Sequence, residues 1–267
     1  MLGAGVAALV WAGPAAAGPL DELSGALSNG SSELNLDQLN LDSLLPTIKD
    51  LIPGTTGTQT GKTRCTSVIQ VGDSTSVNAD KAASLPAATD SASEQFKRVG
   101  VTTTTVDAYS GRAVVGGPGT DAEQTVKNRL AAGEKGCWVI AMGINDAGSV
   151  SSGGSVSADE RIDRIMRQLA GQPVLWPAVT SSNPSNQAFG KAAMTTFNEA
   201  LRKATTRYSN LAVYDWAGAA TAGEFAGDGI HYTAAGTADR NRRFADALAK
   251  AYPTGVGSTP AVRWVTG

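Results

Sequence analysis

Hydrophobic positions in this chain fall into short apolar runs separated by longer polar segments with helical spacing, and the alternation starts near residue 66. Residues 66–72 (Thr-Ser-Val-Ile-Gln-Val-Gly) read as a buried strand, and the β-branched Thr and Val of 101–106 predict a second. Residues 138–142, 173–179 and 211–216 predict three more. Between them, 90–98, 121–132, 159–169, 187–208 and 234–251 carry helical spacing. Ala122, Val126 and Leu130 mark one helix, with Thr120 as its expected cap, and Ile162, Ile165, Met166 and Leu169 mark another. Five strands alternating with helices indicate an α/β domain whose parallel sheet is covered on both faces. In such sheets the ligand site lies beyond the carboxyl ends of the strands.

Ahead of this domain the pattern is different. Residues 1–20 carry no charge, and Leu2 to Trp11 is apolar before Pro14-Ala15-Ala16-Ala17. Those small residues predict a signal peptide over 1–17, cleaved after Ala17, although no Lys or Arg precedes the apolar stretch. The competing reading is a short membrane anchor, for which Gly and Pro make a weak span. Export is the expectation, to the exterior or the cell envelope. Residues 18–62 contain two copies of a Leu-Asn-Leu-Asp unit, and Leu36, Leu39, Leu41, Leu44, Leu45 and Ile48 suit an intermittent amphipathic helix before Pro53. A Gly/Thr linker follows at 54–61. This segment is either a spacer or a docking element for an envelope protein partner. The catalytic domain is expected over 63–253, and 254–267 as a tail.

Composition narrows the function. With 42% hydrophobic and 17% charged residues, 31 Gly and 11 Pro, the chain is neither disordered, collagen-like nor multi-span. Lys plus Arg number 22 against 24 Asp plus Glu, so the basic surplus that phosphate neutralisation requires is missing and no nucleic-acid partner is expected. A Cys/His zinc site needs three or four such ligands brought together, and two Cys and one His nearly exclude it, so no metal and no cofactor are expected. Any imidazole chemistry falls to His231. A monomer is expected.

The strand ends carry four polar blocks: Gly72-Asp73-Ser74-Thr75, Gly111-Arg112, Gly143-Ile144-Asn145-Asp146 and Asp228-Gly229-Ile230-His231. Singly each could be a turn or a cap. Together, in this order and spacing over residues 65–251, they resemble the SGNH or GDSL hydrolases, a family named for a Ser, Gly, Asn and His in separate blocks. Thr75 departs from the family name, which has Leu there. The resemblance implies a flavodoxin-like three-layer sandwich with a five-stranded parallel sheet. It also implies a triad of Ser74 as nucleophile, His231 as base and Asp228 as the group orienting the imidazole. The implied oxyanion donors are the backbone N–H groups of Ser74 and Gly111 and the side-chain amide of Asn145. Asp73 and Asp146 read as supports for the loops carrying Ser74 and Asn145. Arg112 reads either as an anion contact or, more ordinarily, as a carboxylate partner.

If Ser74 and Asn145 meet at one oxyanion site, their strands run side by side. Cys65 and Cys137, nine and eight residues before them, then reach the opposite end together, where a disulfide is feasible and suits an exported protein. The expected activity is that of a secreted serine esterase acting on acyl or acetyl esters of an envelope carbohydrate or lipid. An acyltransferase using the same triad is the alternative, because the difference lies in acceptor binding. A noncatalytic module binding acylated glycans or proteins is the third reading, against which the complete triad speaks. Residues 75–89 and a Gly/Ser loop over 148–157 are expected to flank the site.

Overall fold

Residues 61–267 are described by a computed structural model. The expected leader over 1–17, the Leu-rich helix and the linker up to residue 60 lie outside the described residues.

The apolar runs form strands β1 (Ser67–Gly72), β2 (Thr103–Ala108), β3 (Cys137–Ala141), β4 (Val174–Pro177) and β5 (Leu211–Tyr214). Between them run helices α1 (Ala92–Arg98), α2 (Ala122–Ala131), α3 (Ile144–Ser151), α4 (Ala158–Gln168), α5 (Lys191–Arg207), α6 (Trp216–Ala219) and α7 (Ala234–Ala251). All strands are parallel, in the order β2-β1-β3-β4-β5. The sheet does not stop there. Trp264–Val265 forms β6 on the outer edge of β5, with the Val213 and Asp215 N–H groups donating to Arg263 O and Val265 O at 2.8 Å each. The expected five-stranded sheet is therefore six-stranded, and the segment expected as a tail completes it. Two residues are too few to show a period, so nothing in the local sequence marks this strand.

Strand residues alternate between two cores. Ile69, Trp138, Ile140, Trp176 and Val213 face α2, α4 and α5, whereas Val68, Val139, Leu175, Ala212 and Tyr214 face α1 and α7. Both faces are dry, which is why these strands read as unbroken apolar runs. Each fully buried large side chain here, Trp138 and Trp176 among them, stabilises the fold by roughly 1.5–3 kcal/mol.

Local chemistry shifts several boundaries. Asp121, rather than Thr120, caps α2, its Oδ1 accepting from Gln124 N at 2.9 Å. The helix expected over 187–208 is a short 3₁₀ turn, Gln187–Phe189, followed by α5, because Gly190 takes an extended conformation between them. The Gly/Ser loop expected from 148 begins inside α3. Its Gly and Ser are poor helix formers, but packing overrides propensity: Ile144 and Ala147 are buried, and a Cβ on Gly148 would lie 2.8 Å from the Phe189 ring.

Candidate active site

The chain runs from β1 outward to β2 and then crosses back to β3, so the loops after β1 and β3 part company between two adjacent strands. That is the switch point of a parallel sheet, where a crevice opens. Gly72 pairs with Ala141 at its rim, placing Ser74 two residues and Asn145 four residues beyond the same ladder rung. At the other end, Val68 pairs with Cys137, and Cys65 and Cys137 are joined by a disulfide with a Cα–Cα distance of 5.8 Å.

Ser74 opens a 3₁₀ turn, Ser74–Ser76, and is part-exposed. Its Oγ lies 2.9 Å from Nε2 of His231, and Nδ1 of His231 lies 2.5 Å from Oδ2 of Asp228. A carboxylate can only accept, so Nδ1 carries the ring proton and Nε2 presents its lone pair to the serine hydroxyl. The other oxygen of Asp228 accepts from the backbone N–H groups of Ile230 and His231, each at 2.9 Å. One carboxylate therefore fixes both the backbone turn that carries the histidine and the orientation of its ring. The His231 hydrogen bond, seconded by those two N–H donors, holds the Asp228 carboxyl down at about 2. Gly229 makes this turn possible. Its φ is +70°, its carbonyl accepts from Ser182 N at 2.7 Å, and a Cβ there would meet Ser182 O at 2.2 Å.

Gly111 sits in the loop after β2 with φ +75°. Neither its N–H nor that of Ser74 donates to another group of the described residues. The amide nitrogen of Asn145 donates one hydrogen to Arg112 O at 2.8 Å, which leaves its second hydrogen for a ligand. Asn145 is thereby tied to the Gly111 loop by one half of its own amide group.

The two further acids separate in role. Asp73 is buried and accepts from both N and Oγ1 of Thr75, at 2.9 and 2.7 Å; burial pushes its carboxyl up. It supports the Ser74 turn, as expected. Asp146 instead braces the neighbouring loop: its carboxylate accepts from Val114 N at 2.9 Å and from Arg161 at 2.8 Å. It is fully buried, and burial outweighs the pull of Arg161 and Val114 N–H, raising its carboxyl to about 6. Arg112 faces inward. It donates to Asp107 Oδ1 at 2.9 Å, to Thr120 O at 3.1 Å and to Gly72 O at 3.3 Å, so it is the carboxylate partner and not an anion contact.

Arg240 belongs to none of the four polar blocks. Buried on α7, it reaches Thr75 Oγ1 at 3.3 Å and Ser76 Oγ at 3.2 Å, with its guanidinium 5.2 Å from the Tyr232 ring centroid. It therefore braces the Ser74 turn and the residue after His231 together. The Thr75 hydroxyl donates to Asp73 and accepts from Arg240, a bridge a leucine there could not make. The available signal was an arginine on the apolar face of a helix, in line with Thr237, Phe244 and Leu248.

Among the described residues, no group of three His, Cys, Asp or Glu side chains could hold a metal ion, and no helix is long and apolar enough to cross a membrane. No family model and no curated protein matches the chain by sequence. Among solved structures, it is similar to a carbohydrate acetylesterase family member from Sinorhizobium meliloti, at 16% identity and a TM-score of 0.53, covering 68% of this chain and 97% of that one. It is also similar to Est24, a carbohydrate acetylesterase from the same organism, at 18% identity and a TM-score of 0.52, covering 68% and 98%. At these identities the likeness is one of fold, a parallel sheet with helices on both faces.

Proposed function

We propose that this protein is an exported serine esterase that hydrolyses acyl or acetyl esters of an envelope carbohydrate or lipid. The observation that carries the reading is the continuous hydrogen-bonded line from Ser74 Oγ through His231 to Asp228, at 2.9 and 2.5 Å. A serine hydroxyl with an imidazole lone pair in reach, and a carboxylate fixing the tautomer, is the arrangement acyl transfer requires.

In this mechanism Ser74 Oγ attacks the ester carbonyl carbon as its proton passes to Nε2 of His231. Asp228 stabilises the imidazolium without taking the proton. The oxyanion of the tetrahedral intermediate accepts from the Ser74 and Gly111 N–H groups and from the remaining Asn145 hydrogen. Collapse expels the alcohol, which takes the proton from His231. Water then attacks the acyl-Ser74 carbonyl, gives a proton to His231, and the acid leaves as Ser74 is regenerated.

The openness of the site favours hydrolysis over transfer. The side chains of His231 and Asp228 are 44% and 49% exposed, so bulk water reaches the acyl-enzyme. The structural neighbours described as carbohydrate acetylesterases support a short acyl group on a sugar. The Cys65–Cys137 bridge supports an oxidising compartment, and with the apolar leader it supports export. The test is hydrolysis of p-nitrophenyl acetate. Ser74→Ala and His231→Ala should each lower kcat by at least roughly a thousandfold with an unchanged circular dichroism spectrum; wild-type turnover in either variant would sink the reading.

A further inference from the structure

Beside the oxyanion loop stands a group of side chains that the mechanism above does not use. Tyr109, two residues before Gly111, is 48% exposed and is the one exposed aromatic among the described residues. Its position is built. Its N–H extends the β1–β2 ladder by donating to Gly72 O at 3.2 Å, and its ring lies against Gly119, where a Cβ would come within 2.9 Å of the ring. Gly119 has φ +69°, so both backbone and space require glycine there. One side of the ring is thus held by a Gly-Pro-Gly loop while much of it remains open to solvent.

Arg112, 6.0 Å from the Tyr109 ring centroid, also lines a cleft of about 340 Å³. Asp107 and Tyr109 are two apart on one ladder and share a face of the sheet. Arg112 joins them, donating to Asp107 and standing 6.0 Å from the Tyr109 ring centroid, while its carbonyl holds the Asn145 amide. Ring, cleft and oxyanion loop are therefore mechanically one unit. The charges in the cleft cancel internally: Asp107 pairs with Arg112 and Arg129, and Arg129 pairs with Glu134. Burial alone would raise the Asp107 carboxyl, but the hydrogen bonds from Arg129 and Arg112 outweigh it and hold it below the ordinary value. The neutral polar groups of Thr120, Thr125 and Asn128 complete the lining, and Asn128 engages only its Oδ1, with Gln124, leaving its N–H donors free.

This chemistry selects among ligands. Both guanidinium groups are already committed to carboxylates, which disfavours a phosphate or carboxylate ligand, and the polar walls disfavour an acyl chain. An exposed aromatic face beside fixed, net-neutral donors and acceptors fits a neutral ring with apolar C–H faces and hydroxyl edges. We propose that Tyr109 and the Asp107–Arg129 cleft form the subsite for the sugar that carries the ester, with Tyr109 as its stacking platform. The inference rests on the esterase reading and names the alcohol half of the substrate.

The experiment compares methyl 6-O-acetyl-glucopyranoside with p-nitrophenyl acetate. Tyr109→Ala should lower the ratio of kcat/KM on the sugar ester to that on the aryl ester roughly tenfold, chiefly through KM, and Tyr109→Phe should preserve the ratio. Asn128→Ala should lower it severalfold. An unchanged ratio in Tyr109→Ala overturns the subsite, whether both rates fall together or neither does. A titration of the Ser74→Ala protein with the same sugar ester, followed by NMR, separates the two hypotheses. Shifts of the Tyr109 ring resonances support the subsite even if wild type hydrolyses neither ester, which would sink the esterase reading alone. A titration that leaves those resonances in place overturns the subsite.

Discussion

The Cys65–Cys137 bridge closes a loop of 72 residues between β1 and β3, and its removal gives a stability change that can be worked out in advance. In the chain-entropy treatment, a loop of this length restricts the unfolded chain by about 15 cal/mol/K, or about 4.4 kcal/mol at 25 °C. For a domain of this size that corresponds to a fall in Tm of roughly 10–15 °C. Both cysteines are nearly inaccessible, at 2% and 3% exposure, so deleting the sulfurs adds a packing loss to the entropic one. Two samples separate the terms: wild type with its bridge reduced, and the double variant Cys65→Ala/Cys137→Ala. Urea unfolding followed by tryptophan fluorescence should show reduced wild type losing about 4 kcal/mol with a larger m, because the unbridged chain exposes more surface. The double variant should lose somewhat more. Esterase turnover of the reduced protein at 25 °C should persist, since the bridge joins the ends of the strands remote from Ser74. A loss below about 1 kcal/mol on reduction would refute the loop-constraint argument.

On the proposed mechanism Asn145→Ala removes one of three oxyanion donors and should lower kcat on p-nitrophenyl acetate by about 10²–10³; an unchanged kcat would exclude the amide from the transition state. The Asp228 carboxyl is held down at about 2 against an ordinary 3.8, so its stabilising contribution is present above pH 3.8 and lost only as pH falls through about 2. Asp228→Asn should lower kcat by up to about 10⁴-fold, because the amide favours the tautomer that presents a proton and not a lone pair to Ser74. Asp146→Ala strands the buried Arg161 charge and the Val114 N–H, and should cost about 3–5 kcal/mol in urea unfolding. Because the Asp146 carboxyl is raised to about 6, its contribution is full below pH 3.8 and is lost as pH rises through about 6; Asp146→Asn should flatten the stability profile across that window.

The chemistry-bearing positions were legible because they must be particular residue types at strand ends. One histidine in 267 residues leaves a single candidate base, and Ser74, Asn145 and His231 each follow an apolar run or precede a clear helix. Arg240 and the Gly119–Tyr109 contact were not legible, since each acts on residues far away in the chain. Asp146 shows the same limit. Its sequence neighbours pointed to the Asn145 loop, but its carboxylate serves Val114, 32 residues away.

By itself the sequence determined the alternation of buried strands and helices and the parallel sheet, and it marked Ser74, His231 and Asp228 as candidates, because periodicity and residue type are local properties of the chain. Only the tertiary structure decided the sixth strand, the helical conformation of Ile144–Ser151, the partners of Asp146 and Arg112, and the cleft beside Tyr109. The physical reason is common to all of them. A two-residue strand, a glycine-bearing helix and a buried ion pair are each unfavourable alone, and each persists through contacts with segments tens of residues distant.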